Sequence, residues 1–381
     1  MTGMVMDPRK RQTLERLAAL AAGALSIPGV AQAQGLALPK AVRLAGGASY
    51  ANGRLRLGGL AHFIAEQGWL EQQLNQRGSK LEWFGTSHAA VGPMINEAFT
   101  NGSVDFASYG DLPSAILNAG GVDTRLLVPN GLGQGDAFLV VPRESKARSI
   151  EDLKGKSLAV HRGRPWELPL VRLLQAKGLK YSDFKLYNIN PQTGMSALAS
   201  KHVDALFTMT DAYLLEDKGV GRIIWSTKEA PLDWKTRTEL WGSKAFIDKY
   251  PDLTQLVVTA YIKAAHWASQ EANQDAVFAL ATANGTPESV VRRSYADRKY
   301  PWKERYTPLF NEVVYEHYRN TIAFAYDQKI IQRKIDLDTW FDKRFVPVAL
   351  KDLGIENYWK PVTSTHGTER ATQKSKLAAH R

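Results

Sequence analysis

Apolar residues recur along this chain with two periods, and the switching between them outlines the fold. Short runs that alternate with period two, or that stay apolar throughout, read as strands at 42–45, 80–84, 104–108, 125–128, 137–141 and 158–160. Further strands are expected at 183–187, 202–207, 222–225 and 239–242. Helical periodicity fills the gaps, at 54–66, after Gly68, after Gly92-Pro93, at 168–177 and at 196–201. Beyond Lys244 the pattern is helical only, with stretches at 251–270, 275–282, 287–295 and 308–326. Strands alternating with helices, followed by a helical remainder, predict an α/β architecture.

The most informative stretch is 102–113. Asn101-Gly102 is a helix stop, Val104, Phe106 and Ser108 alternate with Asp105 and Ala107, and Gly110-Asp111-Leu112-Pro113 opens the next helix. Asp111 is the expected N-cap, with Pro113 in the first turn. A strand that ends in Ser-x-Gly-Asp and turns into a helix joins a hydroxyl to free backbone N–H groups, a setting suited to an anion. A second such turn lies at 161–167. There Arg162 and Arg164 stand at a predicted helix N-terminus, with Pro165 in its first turn, so two guanidinium forks and the helix dipole would converge.

The unit Gly102-Ser103-Val104-Asp105-Phe106 is echoed by Lys201-His202-Val203-Asp204-Ala205, as two equivalent lobes would require. Strand–loop–strand segments at 125–141 and 222–242 read as crossings between them. Three glycines within 131–135 give the first crossing backbone freedom. The small-residue run 46–53, a predicted loop before a helix, forms a further generic ligand cradle. Tyr and Trp in the C-terminal helices are read as packing residues.

Composition narrows the chemistry. The 381 residues contain no cysteine, which removes disulfides, thiolate metal sites and cysteine nucleophiles. The formal net charge is +11, partly carried by the two ends, but Lys and Arg are interspersed with Asp and Glu and form no dense stripe. The body therefore favours anionic ligands over nucleic acid. Residues 1–33 read as a signal peptide: Arg9-Lys10-Arg11, an apolar run from 17 to 30, and Ala31-Gln32-Ala33 as cleavage site. Lys10-Arg11 approximates a twin-arginine pair, so Sec and Tat export both stay open. Residues 361–381 are polar and aperiodic, and are expected to be disordered. No histidine pair has H-x-x-H or H-x-x-x-H spacing, no run resembles a calcium loop, and neither a Walker A nor a dinucleotide motif follows a strand. No metal or cofactor is expected.

The 102–113 stretch resembles the G-S-[IV]-D-x-[GA]-x-x-G-[DN]-x-P signature of periplasmic solute-binding proteins of the sulfonate, taurine and nitrate type. Gly68-Trp69-Leu70-Glu71 and Ser149-Ile150-Glu151-Asp152-Leu153-Lys154-Gly155-Lys156 are similar to other strings of that family, and the likeness runs loosely from 42 to 347. It implies a type II periplasmic-binding fold: lobe one from 40–135 and 233–360, lobe two from 136–232, with a ligand cleft between. It further implies a monomeric receptor that delivers a small anionic organosulfur compound to an ABC permease in the inner membrane. Alternatives are a nitrate or thiamine-precursor pyrimidine receptor, or a cysteine-free enzyme on the same scaffold. A sulfinate desulfinase of this fold relies on a cysteine nucleophile, chemistry this chain cannot run. Lobe one would offer Ser108, Gly110 and Asp111, with Tyr50 and Ser87 from its loops. Lobe two would close with Arg162, Gly163, Arg164, Trp166 and Asp211. Asp111 is the awkward member, since a carboxylate repels an anion; it suits a helix cap or a taurine-like amine.

Overall fold

In the computed structural model the described residues are 37–51, 54–86, 91–132, 135–283, 285–296 and 300–362, the side chains of 49–51 and 54 excepted. The expected leader, and the expected disordered tail from 363 onward, lie outside them. Eleven strands are present among these residues: β1 (Ala41–Ala51), β2 (Arg54–Leu57), β3 (Lys80–Thr86), β4 (Phe106–Gly110), β5 (Thr124–Val128), β6 (Phe138–Pro142), β7 (Ser157–Val160), β8 (Lys185–Asn188), β9 (Ala205–Thr208), β10 (Gly221–Ser226) and β11 (Thr238–Ser243).

They form two sheets with the same internal plan. In the first, β3 and β4 flank β1 in parallel, and β11 runs antiparallel between β4 and β5. In the second, β8 and β9 flank β7 in parallel, and β6 runs antiparallel between β9 and β10. β11 and β6, the antiparallel strands next to β4 and β9, are the ones that the crossings deliver. Helices cover both faces of each sheet, and the strand pleat sorts the core accordingly. Phe138 and Val140 face the helices Pro191–Ala199 and Asp211–Asp217, while Leu139 and Val141 face the helix Glu167–Ala176.

The echo between 102–106 and 201–205 is a structural equivalence. Asp105 accepts from the Arg43 backbone N–H at 2.8 Å, and Asp204 accepts from the Ser157 N–H at the same distance. Each aspartate thereby ties the strand it precedes to the central parallel strand of its own sheet.

One predicted element is corrected. Residues 46–51 are strand and not loop, and no helix begins at 54. β1 continues to Ala51 and returns as β2, with Ala48 opposite Leu57 and Tyr50 opposite Leu55. Arg54-Leu55-Arg56-Leu57 alternates with period two, and Leu57 is buried with Ala48 and Ala61. The helix starts later, at Gly59, and ends at Gln67.

The crossings also differ from expectation. Gly135 and Thr236 exchange backbone hydrogen bonds of 3.2 and 2.9 Å, which joins the two crossings as a short ribbon. Asp136 accepts from Lys235 Nζ at 2.6 Å and from Thr227 Oγ1 at 2.8 Å, all three residues being buried. Arg237 Nε donates to Glu239 Oε1 at 2.5 Å and its Nη2 to the Gly131 carbonyl at 2.8 Å. Gly131 has φ +74°, and a methyl group there would lie 1.8 Å from the Arg305 carbonyl oxygen. Gly131 therefore permits close approach, and the buried Asp136–Lys235 pair ties the two crossings together.

Candidate functional site

The lobe-one wall is the end of β4 and the helix that follows it. Phe106 and Ser108 share one face of the strand, so Ser108 emerges half-buried beside the hydroxyl of Tyr261. Gly110, and not Asp111, is the N-cap of helix Asp111–Ala119. A methyl group at Gly110 would stand 2.6 Å from Cγ of Pro165, a residue of the other lobe. The two lobes meet at this point.

Asp111 is placed differently from the prediction. It is 1% exposed. Its Oδ2 accepts from His317 Nε2 at 2.6 Å and from the Arg237 N–H at 3.2 Å, and Oδ1 lies 2.6 Å from the Leu112 N–H. His317 is itself fully buried, with Nδ1 2.8 Å from the Asp233 carbonyl. The carboxylate ties the helix start to the second crossing and to helix Glu312–Asp327.

The lobe-two wall is the turn after β7. Helix Glu167–Ala176 begins at Glu167, so Pro165 lies ahead of it and not in its first turn. Glu167, fully buried, accepts from Arg162 Nε at 2.8 Å, from the Gly163 N–H at 2.5 Å and from the Tyr181 hydroxyl at 3.0 Å. The Arg162 guanidinium lies 5.1 Å from the centre of the Tyr181 ring. Arg162 and the Gly163 N–H thus brace the turn. Arg164 points across the gap instead: its Nη1 is 3.3 Å from the position a Gly92 Cβ would take, in the first turn of helix Val91–Thr100. Burial pulls the Arg164 guanidinium below its ordinary pKa, and burial together with Arg164 does the same to His161.

Trp166 is half-buried, with its ring 6.1 Å from that of His161 and its indole N–H buried without a hydrogen bond. Asp211 opens helix Asp211–Asp217 and accepts from Thr208 Oγ1 at 3.3 Å; burial raises its pKa against that bond. Because β7 and β9 are parallel neighbours, the Trp166 and Asp211 turns both follow carboxyl ends of adjacent strands.

Ser108, Gly110, Arg164, Trp166 and Asp211 therefore stand at strand ends around the line where the lobes meet. Tyr50 lies in β1 with its side chain undescribed, and Ser87 lies outside the described residues. Glu167, Pro165 and Tyr261 went unassigned in the sequence. A glutamate at the start of an apolar helical run, five residues after an arginine, was the available signal for Glu167. Among the described residues no cluster of three or more His, Cys, Asp or Glu could hold a metal ion.

Residues 95–274 match the family described as NMT1/THI5 like. The solved structure of the putative sulfonate ABC transporter, periplasmic sulfonate-binding protein SsuA from Methylobacillus flagellatus KT is similar with 42% identity and a TM-score of 0.78, covering 85% of this chain and 98% of that one. The putative aliphatic sulfonates-binding protein of Escherichia coli (strain K12) is 24% identical over 259 residues, 68% of this chain and 78% of the relative. The desulfurization enzyme DSZB shares the fold, at 18% identity and a TM-score of 0.61, covering 83% of this chain and 100% of that one.

Proposed function

Because the chain belongs to the family of periplasmic sulfonate-binding proteins, we propose that it is the extracytoplasmic receptor of an ABC importer for organosulfonates. Its type II bilobal fold is that of the family. The observation that carries the reading is the approach of Arg164 to the first turn of helix Val91–Thr100 across the lobe junction. A guanidinium and a helix N-terminus are both electropositive, so an anion bound beside the pair is attracted by both. Ser108 lies on the same junction and offers a neutral hydroxyl donor. Donors from both lobes make the closed state the one that a bound anion favours, and the permease would recognise that state.

The protein acts in the periplasm as a monomer, exported by the leader read from residues 1–33. Binding without catalysis fits the names of its relatives and the lack of a cysteine nucleophile.

Calorimetric titration with alkyl sulfonates tests this. Arg164→Ala is expected to weaken binding about tenfold or more, about 1.4 kcal/mol. Arg162→Ala is expected to act on stability instead. It leaves the buried Glu167 carboxylate short of a partner and lowers stability by about 1–2 kcal/mol, a figure discounted for the half-exposed arginine. Unaltered affinity in Arg164→Ala removes that guanidinium from the site. No heat from the wild type with any sulfonate refutes the ligand class.

A further inference from the structure

His317 is fully buried on helix Glu312–Asp327, and each of its ring nitrogens faces an oxygen. Nδ1 lies 2.8 Å from the Asp233 carbonyl, and Nε2 lies 2.6 Å from Asp111 Oδ2. A carbonyl oxygen only accepts, so Nδ1 carries a hydrogen. The contact at Nε2 needs a hydrogen as well, and a neutral imidazole has only one. The additional proton belongs to the ring and not to Asp111. Both oxygens of that carboxylate already face backbone N–H groups, Oδ1 that of Leu112 at 2.6 Å and Oδ2 that of Arg237 at 3.2 Å. Bonds of that kind favour the ionised form.

The neighbouring charges lead to the same assignment. Arg237 and Glu239, both buried, oppose each other beside the pair. The Asp233 carboxylate turns instead to Asn320 Nδ2, at 3.0 Å. Tyr109 and Tyr318 stay neutral, because burial pushes both hydroxyls well up. Glu312, Glu316 and Arg319, on the same helix as His317, pair with one another at the surface. Without a charge on His317, Asp111 and Glu239 would share one guanidinium in the interior, which desolvation penalises.

The pair lies directly behind the lobe junction. Gly110, the residue before Asp111, abuts Pro165 of the other lobe. Pro113, in the same first turn as Asp111, has its Cγ 2.9 Å from the position a Gly92 Cβ would take, the point that Arg164 Nη1 approaches to 3.3 Å. We infer that His317 is an imidazolium whose charge cancels that of Asp111 behind the anion-binding junction, and that sulfonate affinity depends on this cancellation. The inference deepens the sulfonate reading and rests on it. His317 is a positioning residue, acting through Asp111 from within the core. A buried unit charge about 10 Å from an anion shifts its affinity on the order of tenfold at an effective dielectric constant of about 20.

Nitrogen-15 NMR of the full chain at pH 7 reads the ring directly, with His317 identified among the eight histidines by the signal that His317→Gln removes. Hydrogen on both ring nitrogens is expected, and a singly protonated ring overturns the assignment. Calorimetry with an alkyl sulfonate reads the consequence. His317→Gln, which can donate to Asp111 but carries no charge, should bind about tenfold more weakly. Adding Asp111→Asn to that variant should restore affinity to within about threefold of wild type. A double variant as weak as the single one means that His317 serves packing alone, and overturns the electrostatic role. Should His317→Gln fail to fold, Asp111→Asn by itself decides the pairing: its His317 ring is expected to hold a single proton, and a ring still doubly protonated overturns the link to Asp111. Silence of the wild type toward every sulfonate defeats the ligand class and the dependence of affinity with it, while the ring spectrum still decides the imidazolium.

Discussion

Asp211 shows how much one side chain's surroundings decide. It stands at the end of β9 where an anion is expected, and burial pushes its pKa up while Thr208 holds it down. A carboxyl group whose folded pKa exceeds its unfolded value favours folding below the unfolded pKa, and that contribution is lost as pH rises through the folded pKa. Asp211→Asn should therefore melt higher than wild type at pH 7, by about one degree or more, with the difference shrinking toward pH 4. Melting curves across that range check the sign; a gap that widens on acidification would show that the carboxylate is stabilised by a partner. The same scale separates the two arginines of the 161–167 turn. Both were equally eligible by position, and only the packing of Glu167 and Tyr181 claims Arg162 and leaves Arg164 facing the other lobe.

At the scale of elements, the two helix–strand units that precede β4 and β9 are built alike. Gly102 N–H donates to Phe99 and Ser103 N–H to Ala98, and Lys201 N–H donates to Leu198 and His202 N–H to Ala197. Both stops require a left-handed residue, φ +70° at Gly102 and +61° at Lys201. Lysine is strained there and glycine is not. Lys201→Gly should raise stability by about 0.5–1 kcal/mol, after allowing for the greater freedom of glycine in the unfolded chain. The exposed pair with Glu144 contributes little. A higher denaturant midpoint at unchanged slope is the expected result, and a lower midpoint would mean that the lysine side chain is held by more than that pair. Periodicity located the other strands within a few residues but gave no helix at Asp211–Asp217 or Phe345–Asp352. It failed at 46–57, where small residues read as a loop, because a hairpin's register depends on the partner strand and not on its own pattern.

For the whole molecule, closure comes down to clearance. Gly110 admits Pro165 because it has no side chain. Gly110→Leu should hold the lobes apart, so that small-angle scattering shows no ligand-induced compaction and sulfonate affinity falls about tenfold or more. Wild-type compaction in the variant would mean that the lobes do not close on this contact. The crossings set the other limit. Asp136–Lys235 and Arg237–Glu239 are buried pairs within the hinge ribbon, so opening must turn about them without exposing one partner alone.

The amino-acid order by itself determined the alternation of strands and helices, the doubling of the Val-Asp strand unit, the two crossings and the strand-to-helix turn at Ser108–Gly110. Each of these is written in residues close together in the chain, where period, caps and breakers act directly. Only the tertiary structure decided which groups are claimed by distant partners. Asp111 is bound to His317, 206 residues away, and to Arg237, 126 residues away. No local pattern carries such partnerships, because they arise when separately folded segments compete for the same buried hydrogen-bonding atoms.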